Sequence, residues 1–287
     1  MRSLIDKLSG NLEKLDTLTK LPDIPRLHAL DNRGRSVGDG PVASLPLDEV
    51  MQAQEKIDGA CVRLVLPPSS AWGNSGSPLC MRDCIVGTND SFIYASGDLV
   101  QPVKNPVYNA LVNSGLWEWM PQLRKRHTPM LTVIYGEVYG HNIQPKVNGN
   151  YLPEGSTANG FRIFDIAEFP DEALEKALSM SLEQIAGLRD SMREHCFLDN
   201  HGFRSRMMEF QYWAGLQSVP ELPAVEVSKL RDMPASEGLA FLKSMLSRTA
   251  APLAEGALLK PEGIVLKSGS RGHAVKMHFG TYERIGK

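Results

Sequence analysis

Lys56 is the residue of this 287-residue chain whose surroundings most clearly suggest chemistry. It lies in the run Glu55-Lys56-Ile57-Asp58-Gly59, and apolar residues alternate before it and resume after Gly59. That pattern predicts two strands joined by a tight turn, with Gly59 allowing a sharp bend and a close approach by a ligand. A lysine there can hold a phosphate group, or act as a nucleophile if its pKa is lowered. The alternative, a surface lysine at a strand end, stays open on these five residues alone.

Glu137 is a carboxylate in apolar surroundings. Residues 130–140 form a nearly continuous apolar run with glycines on both sides of Glu137, which predicts a strand covered on both faces. A carboxylate at the end of such a strand is unfavourable to bury unless it binds a cation or a hydroxyl. The competing interpretation is a partly exposed acid at a strand end.

Another strand is predicted at residues 160–169. Strict alternation there places Phe164 and Asp165 on opposite faces. The first face holds Phe161, Ile163, Asp165 and Ala167, and the second holds Arg162, Phe164, Ile166 and Glu168. Taken alone, Phe164 is either a core side chain or a platform for stacking.

Two predicted strands near the C-terminus carry charged residues. Residues 259–267 form a strand that is entered through Glu262 and Gly263. The last strand, residues 273–279, has Lys276 and His278 on one face because side chains alternate along a strand.

Composition excludes several classes of protein. Hydrophobic residues make up 42% of the chain, enough for one large domain or two modest ones. There is no run of about 18 apolar residues that would predict a membrane span, and the N-terminus lacks the apolar core of a signal peptide. Four cysteines in a chain of this length favour a reduced, cytoplasmic compartment. The net charge of −2 argues against a strongly basic nucleic-acid binder. Any contact with nucleic acid must therefore depend on a local patch.

Three smaller patterns have ordinary explanations. Cys80-x3-Cys84 lacks a second Cys/His pair at zinc-finger spacing, and the His and Cys residues within 195–201 match no common metal-binding frame. The basic run at 124–127 fits a solvated helix end better than a phosphate-binding patch.

The chain is predicted to have two parts. Residues 1–45 form an N-terminal helix (3–19) and an irregular lead-in, and residues 46–287 form the main domain with a helical block at 171–250. The other expected elements are a short helix at 46–52, strands at 60–66, 83–87 and 91–95, loops at 67–79 and 141–160, and helices at 105–126, 171–196 and within 203–250.

Five of these elements occur in an order that resembles a known superfamily. They are, in order, Lys56-x-Asp-Gly59, Tyr-Gly-Glu137, Phe164-Asp165-Ile, Glu262-Gly-Ile-Val-Leu-Lys267 and Val-Lys276. They resemble motifs I, III, IIIa, IV and V of the covalent nucleotidyltransferases, a superfamily of ATP-dependent ligases and mRNA capping enzymes. The stretches 105–108 and 135–144 look most like the RNA ligase 2-like branch. The resemblance implies an α/β (α+β) fold, a nucleotidyltransferase (adenylation) domain of ATP-grasp-like ligase type. Antiparallel sheets would surround a nucleotide cleft, with no C-terminal OB domain.

The resemblance also implies a reaction. Lys56 would attack the α-phosphorus of ATP to form lysyl-AMP, AMP would pass to a 5′-phosphate end, and a 3′-OH would then expel it. The implied cofactors are ATP and Mg²⁺ (or Mn²⁺), and the implied partner is RNA with 5′-phosphate and 3′-OH ends, without membrane contact. Attack needs a neutral amine, so burial, Lys276 and the metal are expected to lower the pKa of Lys56.

Individual residues receive roles from the same resemblance. Lys276 and Lys267 would neutralise charge on the α-phosphate, and Phe164 would stack on adenine. Glu262 would hold the divalent metal, and Glu137 would contact the ribose or the metal. Further nucleotide contacts are implied for Glu55, Asp58, Gly59, Arg82 and His278.

Two positions depart from the pattern of this branch. Asn89 stands where an arginine is usual, with Arg82 as a substitute, and His278 replaces the second lysine of motif V. One alternative is a DNA ligase or guanylyltransferase of the same superfamily. The other, which these two departures leave open, is a catalytically lapsed module that binds nucleic-acid ends. Neither GxxxxGK[ST] nor GxGxxG occurs, so ordinary ATPase and dinucleotide-binding interpretations have no support.

Overall fold

Alternating and continuous apolar runs build two sheets, and helices pack against them. The computed structural model describes residues 11–29, 45, 50–66, 85–95, 98–99, 105–115, 118, 120, 130–144, 146, 148–231 and 233–283. Predictions for residues 1–10, for 67–84 with Arg82 and the Cys80–Cys84 pair, and for 121–129 lie outside these ranges. No helix among the described residues is long and apolar enough to cross a membrane.

Most of the secondary structure follows the predicted order. The strands are β1 (Val50–Lys56), β2 (Ala60–Leu66), β3 (Ile85–Thr88), β4 (Phe92–Ala95), β5 (Asp98–Leu99), β6 (Leu131–Gly140), β7 (Asn159–Phe169), β8 (Gln217–Ser218), β9 (Glu221–Glu226), β10 (Gly263–Lys267) and β11 (Ala274–His278). The helices are α1 (Leu12–Thr19), α2 (Pro106–Asn113), α3 (Asp171–Ser179), α4 (Leu182–Cys196), α5 (Asn200–Ala214), α6 (Val227–Arg231), α7 (Ala235–Met245) and α8 (Phe279–Tyr282).

The predicted α/β fold with antiparallel sheets is confirmed. Within the described residues, seven strands form the larger sheet in the order β5-β4-β3-β2-β6-β7-β8, and four form the smaller sheet in the order β11-β10-β1-β9. Neighbouring strands are antiparallel except for the parallel pair β7–β8.

The two strands on either side of Lys56 do not pair with each other, contrary to the predicted tight turn. β1 pairs with β9 and β10 in the smaller sheet, whereas β2 pairs with β3 and β6 in the larger one. Residues 57–59 carry the chain from one sheet to the other, so Lys56 lies where the two sheets meet. The expected helix at 46–52 is wrong over its described part, because residues 50–52 begin β1.

A β-bulge changes the predicted faces of β7. The pairing with β6 places Tyr135 opposite Asp165 and then skips Phe164, and an extra residue of this kind interrupts the alternation of side chains. Phe164 and Ala167 pack in the same core, although alternation would separate them. The prediction that Phe164 and Asp165 point to opposite faces is therefore wrong, and both contact the ammonium group of Lys267.

Two predicted helices are interrupted. The helix at 105–126 begins as predicted, with Asn105 Oδ1 accepting the backbone N–H of Val107. α2 ends at Asn113 and Gly115 follows with φ 95°, and the described residues 118 and 120 are helical again. The helix at 171–196 divides into α3 and α4, because the Ser181 side chain caps a new helix start.

The predicted helical block at 171–250 also contains the strands β8 and β9. Pro223 lies in β9, which is an edge strand of the smaller sheet. An edge strand tolerates proline because one side of its backbone has no ladder hydrogen bonds to lose. The block therefore contributes to both sheets.

The predicted N-terminal helix is confirmed over α1, and it is fastened to the larger sheet. Asp16 of α1 forms an ion pair with Arg63, whose side chain is almost completely buried within β2. The hydroxyl of Tyr135 donates a hydrogen bond to the backbone carbonyl of Thr19 at 3.0 Å. These contacts fix the end of α1 against the middle of the sheet.

The segment after α1 extends the smaller sheet. The backbone N–H of Leu27 donates to the carbonyl of Lys276 at 2.9 Å, and the N–H of Lys276 donates to the carbonyl of Pro25 at 2.9 Å. Segment 21–27 is thus held by α1 at one end and by β11 at the other.

A buried carboxylate joins the two sheets. Asp165 of β7 accepts hydrogen bonds from Lys267 Nζ of β10 at 2.8 Å, Arg271 Nε at 2.8 Å and Arg193 Nη2 of α4 at 3.3 Å. Burial alone would raise the pKa of Asp165, but the three cations hold it well below its ordinary value. The carboxylate therefore stays ionised and connects elements that are distant in sequence.

We expect Asp165→Asn to lower the free energy of unfolding by about 3–5 kcal/mol, because it removes the counter-ion of three buried cations. Urea unfolding followed by circular dichroism measures the change. Glu226→Gln is the control, since Glu226 and its partner Lys229 are both more than half exposed, and its expected loss is below about 1 kcal/mol. Equal losses in the two variants would contradict the assignment.

Candidate active site

A cavity of about 310 Å³ lies between the two sheets at the end of β1. This volume is at the lower end of the range for small-molecule sites, roughly 300–1,000 Å³. Seven of the residues singled out from the sequence line it, namely Glu55, Lys56, Gly59, Glu137, Phe164, Lys267 and Lys276. Both sheets contribute side chains, so the cavity depends on how the sheets are joined.

Strand register brings Lys56, Glu262 and His278 to one end of the smaller sheet. Lys56 is opposite Gly263, and Gly263 is opposite His278. Lys56 Nζ donates to both carboxylate oxygens of Glu262 at 2.8 Å, and His278 Nδ1 lies 3.0 Å from Glu262 Oε1. A Cβ on Gly263 would lie 2.1 Å from the carbonyl oxygen of Met277, so this close approach of β10 and β11 requires glycine.

The pKa of Lys56 is raised, although a lowered value was expected. Burial alone would lower the pKa of Lys56, but the carboxylates of Glu262 and Glu137 outweigh that effect. The sequence does not show which acids of other strands lie beside this amine. In the fold, Glu262 and Glu137 lie there. Lys56 of the free protein is therefore an ammonium ion paired with Glu262.

Glu137 enters the cavity from the larger sheet. Gly59 lets the segment between β1 and β2 approach β6 closely, because a Cβ there would lie 2.3 Å from the carbonyl oxygen of Val138. Burial raises the pKa of Glu137 to about 8, and the opposing effect of Lys56 only partly offsets it. A substantial fraction of Glu137 is therefore protonated at neutral pH.

Glu55 and Asp58, two residues expected to contact the nucleotide, make hydrogen bonds within the protein. The buried carboxylate of Glu55 accepts the hydroxyl of Thr249 and the backbone N–H of Ala250. The backbone N–H of Asp58 donates to the hydroxyl of Tyr151 at 2.7 Å. The Glu55 side chain thus fastens β1 to the segment before β10.

Phe164 lines the cavity with its ring against Lys267. The Lys267 ammonium lies 5.3 Å from the ring centroid and donates to the Phe164 carbonyl at 2.7 Å. Burial and the neighbouring Arg271 lower the pKa of Lys267 well below its ordinary value, although Asp165 opposes them. Lys267 therefore has its polar contacts inside the protein and supports the aromatic ring.

Lys276 is the more accessible lysine of the cavity. Its ammonium lies 3.5 Å from Asp23 Oδ1, and the Asp23 side chain is 95% exposed. Ion pairs with an exposed partner contribute little to stability. Lys276 can therefore exchange Asp23 for an anionic ligand.

The carboxylates beside Lys56 suit a hard divalent cation. Burial raises the pKa values of Glu137 and Asp58, and repulsion from Glu262 raises them further. Among the described residues, no cluster of three or more His, Cys, Asp or Glu side chains could hold a metal ion. Carboxylate oxygens are the ligands of a hard cation such as Mg²⁺, which one or two carboxylates hold together with oxygens of the substrate.

One wall of the cavity carries no sequence signal. Residues 21–24 line it, although the sequence predicts only an irregular lead-in there. Gln54 and Val265 also line it, because they are opposite one another on β1 and β10. Alternation around Lys56 could have identified Gln54, whereas segment 21–24 is placed by its contacts with α1 and β11. Asn89 lines the cavity as well, and His195 and His201 do not.

We expect Glu137→Gln to flatten the dependence of stability on pH. The pKa of Glu137 is 4.5 in the ordinary state and about 8 in the fold, so the folded protein binds this proton more tightly than the unfolded chain. Its contribution to stability is complete below about pH 4.5 and is lost as the pH rises through about 8. Melting temperatures at several pH values between these limits measure the effect. The exposed acid Glu154 supplies the control, Glu154→Gln, and identical pH profiles for the two variants would refute the assignment.

Comparison with solved structures gives matches to an RNA ligase of Naegleria gruberi. Its structure with PPi matches 93% of this chain and 61% of that chain, with 14% sequence identity and a TM-score of 0.48. A variant with ATP and Mn matches 94% of this chain and 63% of that chain, with 14% identity and a TM-score of 0.50. This chain therefore spans a little over three fifths of the length of these solved chains, and the likeness concerns the fold.

No curated protein matches this chain. A sequence model of the RNA ligase family matches residues 49–279, which is well over half of the chain. The matched region includes β1, β6, β7 and β11, the strands that place Lys56, Glu137, Phe164 and Lys276 around the cavity, and it includes Glu262, which contacts Lys56. The chain therefore belongs to the RNA ligase family.

Proposed function

We propose that this protein is an ATP-dependent RNA ligase that joins 5′-phosphate and 3′-OH ends through lysyl-AMP and 5′-adenylated RNA. The observation that carries the proposal is Lys56, which lies in a cavity at the junction of the two sheets and is hydrogen-bonded to Glu262. Membership of the RNA ligase family supports the same assignment.

In the first step, Lys56 Nζ attacks the α-phosphorus of ATP. The new N–P bond forms as the bond from the α-phosphorus to the bridging oxygen breaks, and pyrophosphate leaves with the electron pair. The amine must lose its proton before it can attack. Because Glu262 keeps Lys56 protonated in the free protein, the reaction requires that the Glu262 carboxylate takes another partner.

Phe164 and Lys276 would bind the nucleotide. Phe164 offers a ring for stacking on adenine, and Lys267 holds that ring in place. Lys276 would neutralise charge on the α-phosphate as it forms the transition state, since its partner Asp23 is almost fully exposed. Lys267 would contribute its charge from beneath the ring, because its hydrogen bonds go to Asp165 and Phe164.

Glu262 and Glu137 would hold the divalent cation, Mg²⁺ or Mn²⁺, which supplies charge neutralisation for the phosphates of ATP. The raised pKa of Glu137 fits this role, because a buried carboxylate gains most from a nearby positive charge. His278 would donate to a phosphate when it is protonated and released from Glu262.

In the second step, AMP passes from Lys56 to the 5′-phosphate of an RNA end, which restores the amine. In the third step, the 3′-OH of a second end attacks that phosphate, and AMP leaves. Lys276 would stabilise the negative charge in both transfers, since each occurs at a phosphorus bound in the same cavity.

We expect the purified protein to form an adduct with the mass of one AMP when it is incubated with ATP and Mg²⁺, and Lys56→Ala to form none. Intact mass spectrometry and a denaturing gel with α-labelled ATP measure the adduct. Lys229→Ala is the control, because Lys229 is an exposed lysine on α6, and it should be labelled like the unaltered protein.

Other outcomes of the labelling experiment would reject the proposal. Labelling by GTP instead of ATP would indicate a guanylyltransferase. No adduct, in protein shown by mass not to be adenylated already, would indicate a module that binds nucleic-acid ends without catalysis.

We also expect Phe164→Leu to raise the KM for ATP by roughly tenfold or more, because stacking of a base on an aromatic ring contributes about 1–3 kcal/mol. Phe164→Tyr retains the ring and should leave the KM within about twofold. The rate of lysyl-AMP formation at varied ATP concentration measures both values. An unchanged KM in Phe164→Leu would exclude stacking.

A further inference from the structure

A second cavity, of about 340 Å³, borders the same segment as the candidate active site. The two cavities share the wall formed by residues 22–23. The second cavity is also lined by Arg189 and Arg193 of α4 and by His273, which precedes β11. Asp23 is the acidic residue among the described lining residues, and it already contacts a cation of the first cavity. The basic side chains of the described lining therefore outnumber the acidic ones.

Arg193 has hydrogen-bonding capacity that the protein does not use. Its side chain is about 5% exposed and stacks on the ring of Phe197 at 4.8 Å. Nη2 reaches Asp165 at 3.3 Å, which is long for a charge-assisted hydrogen bond. Nε and Nη1 have no hydrogen-bond partner among the described residues. Because buried donors without partners are unfavourable, an acceptor bound at this wall would stabilise the fold.

Positive charge is also in excess behind this wall. Lys267, Arg271 and Arg193 share the single carboxylate of Asp165. Several other cations of the described chain each have a carboxylate that no second cation shares, as in Arg204–Glu221, Arg206–Glu168, Lys229–Glu226 and Lys243–Glu283. Three cations beside one anion favour the binding of a further anion.

The arrangement suits a phosphate group. Arg189 and Arg193 are four residues apart on α4 and so lie on the same face of the helix. The planar guanidinium group donates two parallel hydrogen bonds to phosphate oxygens. His273, which precedes β11, adds a donor, although the exposed Glu194 lies 4.0 Å from its Nε2.

We propose that this second cavity binds a backbone phosphate of the substrate RNA. The inference rests on the proposed function, which supplies RNA as the substrate. The chain carries a net charge of −2, so a polyanion must bind where positive charge is locally concentrated. Because the cavities share a wall, an RNA strand with its end beside Lys276 can place a neighbouring phosphate beside Arg189 and Arg193.

The test is RNA binding by Arg189→Gln. A 5′-phosphorylated single-stranded RNA oligonucleotide is titrated without ATP at several salt concentrations. We expect the affinity to fall by about threefold to tenfold and the slope of log Kd against log salt to decrease by about 0.7, the value for one phosphate contact on a single strand. Formation of lysyl-AMP should be unchanged, because Arg189 does not line the first cavity.

Arg204→Gln is the matched control. Arg204 lies on α5, its side chain is 52% exposed, and it contacts neither cavity. This variant has the same change in charge and should retain the RNA affinity and the salt slope of the unaltered protein. Inorganic phosphate should compete with RNA for the unaltered protein and compete less well for Arg189→Gln.

Three results would overturn the inference. Equal affinities and slopes for Arg189→Gln and Arg204→Gln would show that the cavity does not hold RNA. A loss of lysyl-AMP formation in Arg189→Gln would assign the cavity to the nucleotide. If Arg189→Gln does not fold, His273→Gln tests another lining residue of the same cavity, and RNA binding equal to that of the unaltered protein would have the same meaning.

Failure of the proposed function gives a separate result. If the unaltered protein forms no lysyl-AMP, the ligase assignment fails. The RNA titration needs no ATP, so it still reports on the second cavity.

Discussion

The ionised carboxylate of Asp165 is the contact on which the rest of the structure depends. A buried anion is tolerated only when cations and hydrogen bonds compensate for lost hydration, and here the cations come from β10, α4 and the turn before β11. The bulge in β7 turns Phe164 toward the same lysine that Asp165 holds. One charge therefore joins the two sheets and also sets the aromatic ring at the cavity.

Two lysines of the cavity lie in opposite electrostatic surroundings. Lys56 lies among carboxylates and its pKa is raised, whereas Lys267 lies among cations and its pKa is lowered. A divalent cation is favoured beside Lys56, where the carboxylates are. Lys267 donates to Asp165 and to the carbonyl of Phe164, so its charge is used within the protein and supports the aromatic ring. The proposed positions of the metal beside Lys56 and of adenine on Phe164 follow this difference.

Much of this arrangement could be predicted from the sequence, because motifs and apolar runs are local. The strands that carry Glu137 and Phe164, and the strand that begins directly after Glu262, were predicted near their observed positions. The strand that carries Lys56 was predicted only in part, because a helix was expected at residues 46–52. What could not be predicted depends on contacts between distant segments. A hairpin and a crossing between sheets have the same local pattern at residues 57–59, a single bulge reverses the alternation after Phe164, and the direction of the Lys56 pKa shift depends on acids from other strands. The order of the motifs in the sequence indicated the family. The charges that surround each side chain could be known only from the fold.

Segment 21–27 lies outside the family match and still borders both cavities. The family match begins at residue 49, yet residues 21–24 form a wall of the first cavity and residues 22, 23 and 25 line the second. This wall is held by hydrogen bonds to β11 and by the ion pair that fastens α1 to β2. Under the proposed function, the nucleotide would therefore be enclosed in part by residues that carry none of the five motifs. Substitutions in this segment would then change how the nucleotide is enclosed while Lys56 stays in place.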